Sequence, residues 1–382
     1  MSQQVDEQLR TDLARVSNAT VKCGAHIVAF QPSTRLQDRI EDRHVVEEWE
    51  LASGTWKFIS VFDGHGAGHE TVDFVAETLP GKVKASLQTL PSPSESAIEK
   101  ILVDCISDID ERIKTDFLDF FPGGLAQISA LNDYEIKEII TDPSSETGNS
   151  YVQLMRARTG TTALVALISP SKSLFVASLG DCDAILGTLD SIGRQSVKIL
   201  SAYHNCRNDA EADRVRAEHP GETECIYEYR TLGLITLTRA IGDMPFKLPV
   251  IYARRVLALA TPPFHPNYKI DALMARNLTP PYLSNQADVV HVSVDQPSVL
   301  ILSTDGLINL YSRSSQVKNT ADAAPLWFAA INRARQDSSN LALDLLWNVL
   351  GGDGEANLYS LMMQQQFNSR RVDDTTIIIL PL

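Results

Sequence analysis

Short runs rich in β-branched and aliphatic residues, Thr161–Ile168, Leu174–Leu179, Ala184–Thr188 and Val197–Ala202, follow one another with connections too short to hold a crossover helix. Parallel neighbours need a dozen or more residues between them, so this stretch is confined to antiparallel pairing. The same constraint acts earlier, where Val45–Leu51 and Trp56–Phe62 flank Ala52-Ser53-Gly54, small turn residues suited to a hairpin. Further strands are predicted at Gly24–Phe30, Val289–Val294, Val299–Ser303 and Thr376–Leu380. Ile98, Leu102, Cys105, Ile109, Ile113 and Phe117 recur at three- and four-residue intervals with charged residues between, the stripe of a helix that packs on a sheet. Other helices are predicted at 5–16, 209–218, 323–333 and 341–350. The mixture lacks a regular βαβ rhythm, which makes the fold class α+β. Residues 121–158, with Pro122-Gly123-Gly124 and a polar run from Asp142 to Ser150, and residues 311–370 read as insertions.

Acidic residues punctuate this pattern at widely separated places: Glu41-Asp42, Asp63-Gly64, Asp305-Gly306 and Asp373-Asp374, the last three each adjoining a predicted strand. Carboxylates brought together repel and desolvate one another, so convergence is tolerable mainly when divalent cations sit between them. Hard oxygen ligands select Mg²⁺ or Mn²⁺ over zinc, and no Cys/His cluster competes. A shared site built from positions 41 to 374 requires both ends of the chain to fold together, which argues for one domain over 24–382 behind an N-terminal extension, 1–23.

Taken singly, each signal has a plainer reading. Asp63-Gly64-His65-Gly66 delivers a carboxylate, a carbonyl and an imidazole together, yet could be an ordinary polar turn. Glu41-Asp42 precedes a strand, so alternation sends one side chain to each face; Glu41, with the longer reach, is the preferred ligand, against a solvated turn. Asp305 could be a helix N-cap, and Asp373-Asp374 a charged entry to a terminal strand. A phosphate-cradling loop is excluded, because no Gly-Lys-Ser/Thr follows and Glu70 and Asp73 stand near the start of the next helix. His69-Glu70 lacks the second histidine of a zinc-protease helix.

Lys and Arg number 34 against 48 Asp and Glu, a formal charge of −14, which disfavours generic binding to nucleic acid or anionic membrane. The five cysteines are odd in number and contain no Cys-x-x-Cys pair, pointing to a reducing intracellular compartment. The first residues resemble neither a signal peptide nor an Arg-rich transit peptide, and no apolar run approaches the ~18 residues of a membrane span. A cytoplasmic monomer is the expectation.

Several segments, in this order, carry a resemblance: Ile40-Glu41-Asp42-Arg43, Val61-Phe62-Asp63-Gly64-His65-Gly66, Gly160-Thr161-Thr162-Ala163, Leu179-Gly180-Asp181, Thr238-Arg239-Ala240-Ile241-Gly242-Asp243, Ser303-Thr304-Asp305-Gly306-Leu307 and Val372-Asp373-Asp374. From about 24 to 382 the chain resembles the metal-dependent protein Ser/Thr phosphatases of the type-2C family. His44, His204-Asn205, Arg216-Ala217-Glu218-His219-Pro220 and Thr261-Pro262-Pro263 make it most similar to the pyruvate-dehydrogenase-phosphatase-like branch, which would suggest mitochondria.

The resemblance implies a four-layer α-β-β-α sandwich, two antiparallel sheets face to face with helices outside, and two Mg²⁺ or Mn²⁺ ions at one end. Asp63 would bridge the ions, Asp305 and Asp373 would complete one, and Glu41 with the Gly64 carbonyl would hold the other. Asp42 would orient water. It further implies phosphoprotein substrates and in-line attack by a metal-bridging hydroxide on phosphoserine or phosphothreonine without a phosphoenzyme. His65 would protonate the leaving oxygen, with a structural turn hydrogen bond as its alternative. The chain departs from the family at Gln37, where most members have a phosphate-binding Arg; Arg39, or else Arg35, is the expected substitute. Asn309 stands where the family often has an Asp for a weaker third metal, leaving Asp181 as the nearest match, and Tyr203 precedes His204 where Asp is common. The rival readings are a pseudophosphatase that binds phosphoproteins without turnover, and a two-metal hydrolase acting on nucleotides or nucleic acid.

Overall fold

The computed structural model describes residues 2–31, 39–66, 68–90, 92–141, 150–261, 270–311, 317–334, 338–352 and 373–382. One sheet runs in the spatial order Thr20–Lys22, Ala25–Phe30, Thr375–Pro381, Ser298–Ser303, Asp183–Leu189, Gln195–Ile199. The other runs Asp288–Ser293, Ser173–Leu179, Ala163–Ile168, Gly54–Phe62, Arg43–Leu51. Every pairing within them is antiparallel.

Period-two alternation explains the layers. Along the last strand Ile378 and Leu380 enter an apolar layer between the sheets, with Ile27, Val46, Ile59, Val61, Leu164 and Leu302. Ile377 and Ile379 face the opposite way, onto a layer shared with Trp327, Phe328, Leu345 and Leu346 of the helices Thr320–Ala334 and Leu341–Val349. On the second sheet Phe58 and Phe62 face outward to the helices Glu70–Gln88 and Glu95–Leu118. The latter begins on Ser94, whose hydroxyl accepts the Ala97 N–H at 3.2 Å, and its predicted stripe from Ile98 to Phe117 is buried. Helices therefore cover both outer faces, the four-layer α+β architecture expected.

Three details differ from the linear reading. The run of short strands does not stay in one sheet: after Ser173–Leu179 the chain crosses at Gly180–Cys182 and continues as Asp183–Leu189 in the other. Gly180 adopts φ +109, a conformation open to glycine, and so turns the chain across. Residues 121–158 contain the helices Gly124–Ala130, Asp133–Thr141 and Ser150–Arg158, which bury Ile128, Ile136, Ile140 and Leu154; residues 142–149 lie outside the described residues, as do 312–316, 335–337 and 353–370 of the second insertion. The predicted N-terminal helix, Ser2–Val16, does not stand apart as an extension: its Leu13 is wholly buried, and Thr20–Lys22 adds an unpredicted edge strand paired to Ala25–Phe30. Among the described residues no helix is long and apolar enough to cross a membrane.

Candidate functional site

The acidic residues lie in the connections that leave or enter the sheets. Asp63 stands between Gly54–Phe62 and the two-residue strand Gly64–His65; Asp305 follows Ser298–Ser303; Asp373 and Asp374 precede Thr375–Pro381; Asp181 occupies the crossing between sheets. Specific bonds draw them together. The Glu41 N–H donates to Asp374 Oδ2 at 2.7 Å, and the Thr304 hydroxyl donates to Asp42 Oδ2 at 2.8 Å. The Asp63 N–H donates to Thr162 Oγ1, and its carbonyl accepts from the Thr162 N–H, each at 3.0 Å. Gly64 is needed for close approach, since a Cβ there would lie 2.7 Å from the Glu41 carbonyl oxygen.

The electrostatics are those of crowded acids. Burial, followed by the charges of Asp305, Asp42, Asp373 and Asp181, holds Asp63 well above the usual carboxylate range. Asp305 is raised likewise, by burial and then Asp181, Asp373 and Asp42, against a hydrogen bond from Asn309. Burial, with Asp374 and Asp373, pushes Glu41 up to about 7. Burial pushes Asp42 up to about 7 as well, with Thr304 and Thr376 acting in opposition. Asp181 is raised by burial although Asn205 Nδ2 donates to it at 2.7 Å, and Asp373, at the exposed rim, is raised by desolvation.

These oxygens fit divalent cations by donor type. Asp305 occupies the position of a helix cap without capping, and its buried Oδ1 has no hydrogen-bond partner. Among the described residues, no three His, Cys, Asp or Glu side chains are closed up into a finished ion site. The fit therefore rests on the hard-oxygen donor set and on that orphaned atom.

His65 Nε2 lies 2.6 Å from Oδ2 of Asp243, a buried residue whose backbone is left-handed at φ 54. An ionised carboxylate only accepts, so Nε2 carries the donated proton and Nδ1 is left for another contact. Burial alone would lower the imidazole, but the Asp243 charge and hydrogen bond, with Asp181 and Glu41, carry it above its ordinary value. Behind this pair, Lys247 Nζ donates to Asp110 Oδ1 and to the Ala240 carbonyl, each at 2.7 Å, and the Gly242 N–H donates to the same Asp110 oxygen at 2.8 Å. Asp243 was visible in the sequence only as part of a motif, without a role.

Of the guanidinium groups expected to take phosphate, Arg35 lies outside the described residues. Arg39 is turned onto the helix Glu70–Gln88, donating to both oxygens of Asp73 at 2.7 and 3.0 Å. Arg43 Nε shares that carboxylate at 2.7 Å while its Nη1 donates to the Ile40 and Asp42 carbonyls at 2.6 Å, so Arg43 clamps the turn bearing Glu41. Its place in the run Glu41-Asp42-Arg43 was the only sequence signal.

The family model described as protein phosphatase 2C matches residues 28–321. The mitochondrial pyruvate dehydrogenase phosphatase 1 of Bos taurus is 33% identical over 190 residues, which span 49% of this chain and 35% of that protein's length. A protein phosphatase 2C homolog of Schizosaccharomyces pombe is 26% identical over 373 residues, 90% of this chain and 77% of that one. The mitochondrial pyruvate dehydrogenase phosphatase 2 of Homo sapiens is 30% identical over 73% of this chain and 58% of its own. A crystal structure of a serine-threonine phosphatase 2C from Toxoplasma gondii covers 95% of this chain and 96% of that chain with a TM-score of 0.54 at 17% identity, a likeness of fold. None of these relatives favours a module that binds without hydrolysing. With the family model spanning most of a sandwich of the same layered kind, the chain belongs to the protein phosphatase 2C family, near the pyruvate dehydrogenase phosphatases.

Proposed function

We propose that this chain hydrolyses phosphoserine and phosphothreonine in proteins with two Mg²⁺ or Mn²⁺ ions. The observation that carries the reading is Asp63, half-buried and within electrostatic reach of Asp305, Asp42, Asp373 and Asp181. Asp63, Asp305 and Asp373 would hold one ion, and Asp63, Glu41 and the Gly64 carbonyl the other. When bound, such ions lower the pKa of a bound water to near neutrality and neutralise phosphoryl oxygens. Asp42, fixed by Thr304, orients water from behind. Asp181 and Asn309, tied to Asn205 and Asp305, orient the ligands rather than build a third site. Arg39 reaches a phosphate oxygen by exchanging it for the Asp73 carboxylate.

His65 acts as the acid. Asp243 fixes the ring and favours its protonated form, and Nδ1 hands the proton to the departing Ser or Thr oxygen. The test is phosphopeptide hydrolysis by the purified chain with Mn²⁺, repeated in chelator and with Asp63→Asn. Hydrolysis should require metal and vanish in the variant; chelator-resistant turnover, or faster turnover of nucleotide or oligonucleotide, would sink the proposal. A calorimetric titration giving one Mn²⁺ per chain would overturn the ion count. The cysteines are all free, which supports a reducing compartment. Fractionation distinguishes cytoplasm from mitochondria, to which the names of the two pyruvate dehydrogenase phosphatases assign those relatives, and light scattering tests the monomer.

A further inference from the structure

Beside the carboxylates lies a groove of about 680 Å³, lined by residues within 199–208, 308–311 and 317–321, with Asp183. It adjoins the site: Asn309 lines it and hydrogen-bonds Asp305, and Tyr203 lines it within reach of the Asp181 and Asp305 charges. Its exposed cations are unusual for this chain. With a net charge of −14, guanidinium groups are readily matched by carboxylates, as at Arg39, Arg43, Arg214, Arg239 and Arg276. The Arg207 guanidinium and the Lys318 ammonium, both lining the groove, form no ion pair with a carboxylate among the described residues, although the Lys318 backbone N–H donates to Asp322 at 3.0 Å. The Arg207 guanidinium lies 5.3 Å from the Tyr229 ring centroid. Tyr229 is at the tip of the hairpin joining Ile226–Tyr227 to Arg230–Thr231, where Glu228 and Tyr229 take φ of 50 and 57. Non-glycine residues adopt that backbone only against steric resistance. Asp183 is 4% exposed; the Thr320 hydroxyl donates to its Oδ1 at 2.8 Å, while its buried Oδ2 has no partner.

We propose that this groove seats the substrate residues flanking the phosphoserine or phosphothreonine and selects acidic ones, which pair with Arg207 and Lys318. The proposal rests on the phosphatase reading for its substrate. Charge complementarity carries the choice of partner, since free cations on a strongly acidic molecule attract carboxylates and repel basic segments. Exposed pairs are individually weak and screened by salt, so the preference should be moderate and salt-sensitive.

Phosphothreonine peptides differing only in flanking Glu, Ala or Lys separate the possibilities. Wild-type protein with Mn²⁺ should show kcat/KM roughly five-fold higher for the Glu than for the Lys peptide at low salt. The ratio should fall toward one at about 0.5 M salt. In Arg207→Glu/Lys318→Glu, checked for fold by circular dichroism, it should invert. Dye-labelled phosphonate analogues, which resist hydrolysis, report the same ordering as affinities by fluorescence anisotropy. Hydrolysis with equal ratios, or a ratio unmoved by charge reversal, would overturn the groove and spare the phosphatase reading. Charge-selective binding without hydrolysis would do the opposite.

Discussion

Replacing Glu41 by Gln should disable the protein and, in the absence of metal, make it more stable. Glu41 is held near 7 where a free glutamate titrates at 4.5, by burial and then by Asp374 and Asp373. Between those values the folded chain keeps a proton that the unfolded chain has lost. The native state therefore binds more protons, and stability falls as pH rises through the window. A gap of about 2.5 pH units corresponds to about 3.4 kcal/mol at most. Partial solvation of the side chain reduces this to about 1.5 kcal/mol. Glutamine keeps the shape and the backbone bond to Asp374 but carries no charge. Urea unfolding in chelator, followed by tryptophan fluorescence, should show Glu41→Gln gaining about 1.5 kcal/mol at pH 8 and only a few tenths near pH 4.5. Saturating Mn²⁺ should reverse the order, because a ligand at a hundred times its Kd adds about 2.7 kcal/mol and the variant forfeits much of that. A variant no more stable than wild type at pH 8 in chelator, or a gain that persists in acid, would show that Glu41 is not held among repelling charges.

Lys247→Met would leave Asp110 buried without its cation, for which a loss of about 3–5 kcal/mol is expected in urea unfolding. A loss under about 1 kcal/mol would mean that water relieves the carboxylate. Leu13→Ala should cost about 2–5 kcal/mol, because the side chain is wholly buried in the outer layer of the first sheet. Unchanged stability would show that the N-terminal helix does not dock in solution. Gly160→Ala places a methyl group against both His65 Nε2 and Asp243 Oδ2, so kcat should fall at least roughly ten-fold with Mn²⁺ affinity unchanged. An unaltered kcat would detach that pair from the chemistry.

The parts of the molecule legible from sequence are those with a local period. Ile377 through Leu380 announce a strand, and their alternate facing to helices and opposite sheet follows from the pleat. The stripe from Ile98 to Phe117 likewise fixes one face of its helix. The change of sheet at Gly180–Cys182 was not legible, because Leu174–Leu179 is buried on both faces and so carries no alternation to reveal its partners. Contacts across long separations leave still less trace: Glu41 meets Asp374 over 333 positions, and His65 meets Asp243 over 178. Asp73 shows how one residue can be placed correctly while its partners stay hidden. It lies in the first turn of its helix as the sequence indicated, and in the fold it also gathers Arg39 and Arg43.

The crossing at Gly180–Cys182 belongs with the placement of Asp63 on one sheet and Asp305 and Asp373 on the other. On the proposed function, neither sheet alone would own the catalytic end of the molecule, so half a sandwich should retain no fraction of the activity. Any slippage of the Ile59–Val61 layer against Leu302 and Ile378 would change the spacing of the carboxylates before a strand was lost. Turnover should then vanish at lower denaturant than secondary structure, making hydrolysis a gauge of how well the two halves remain in register.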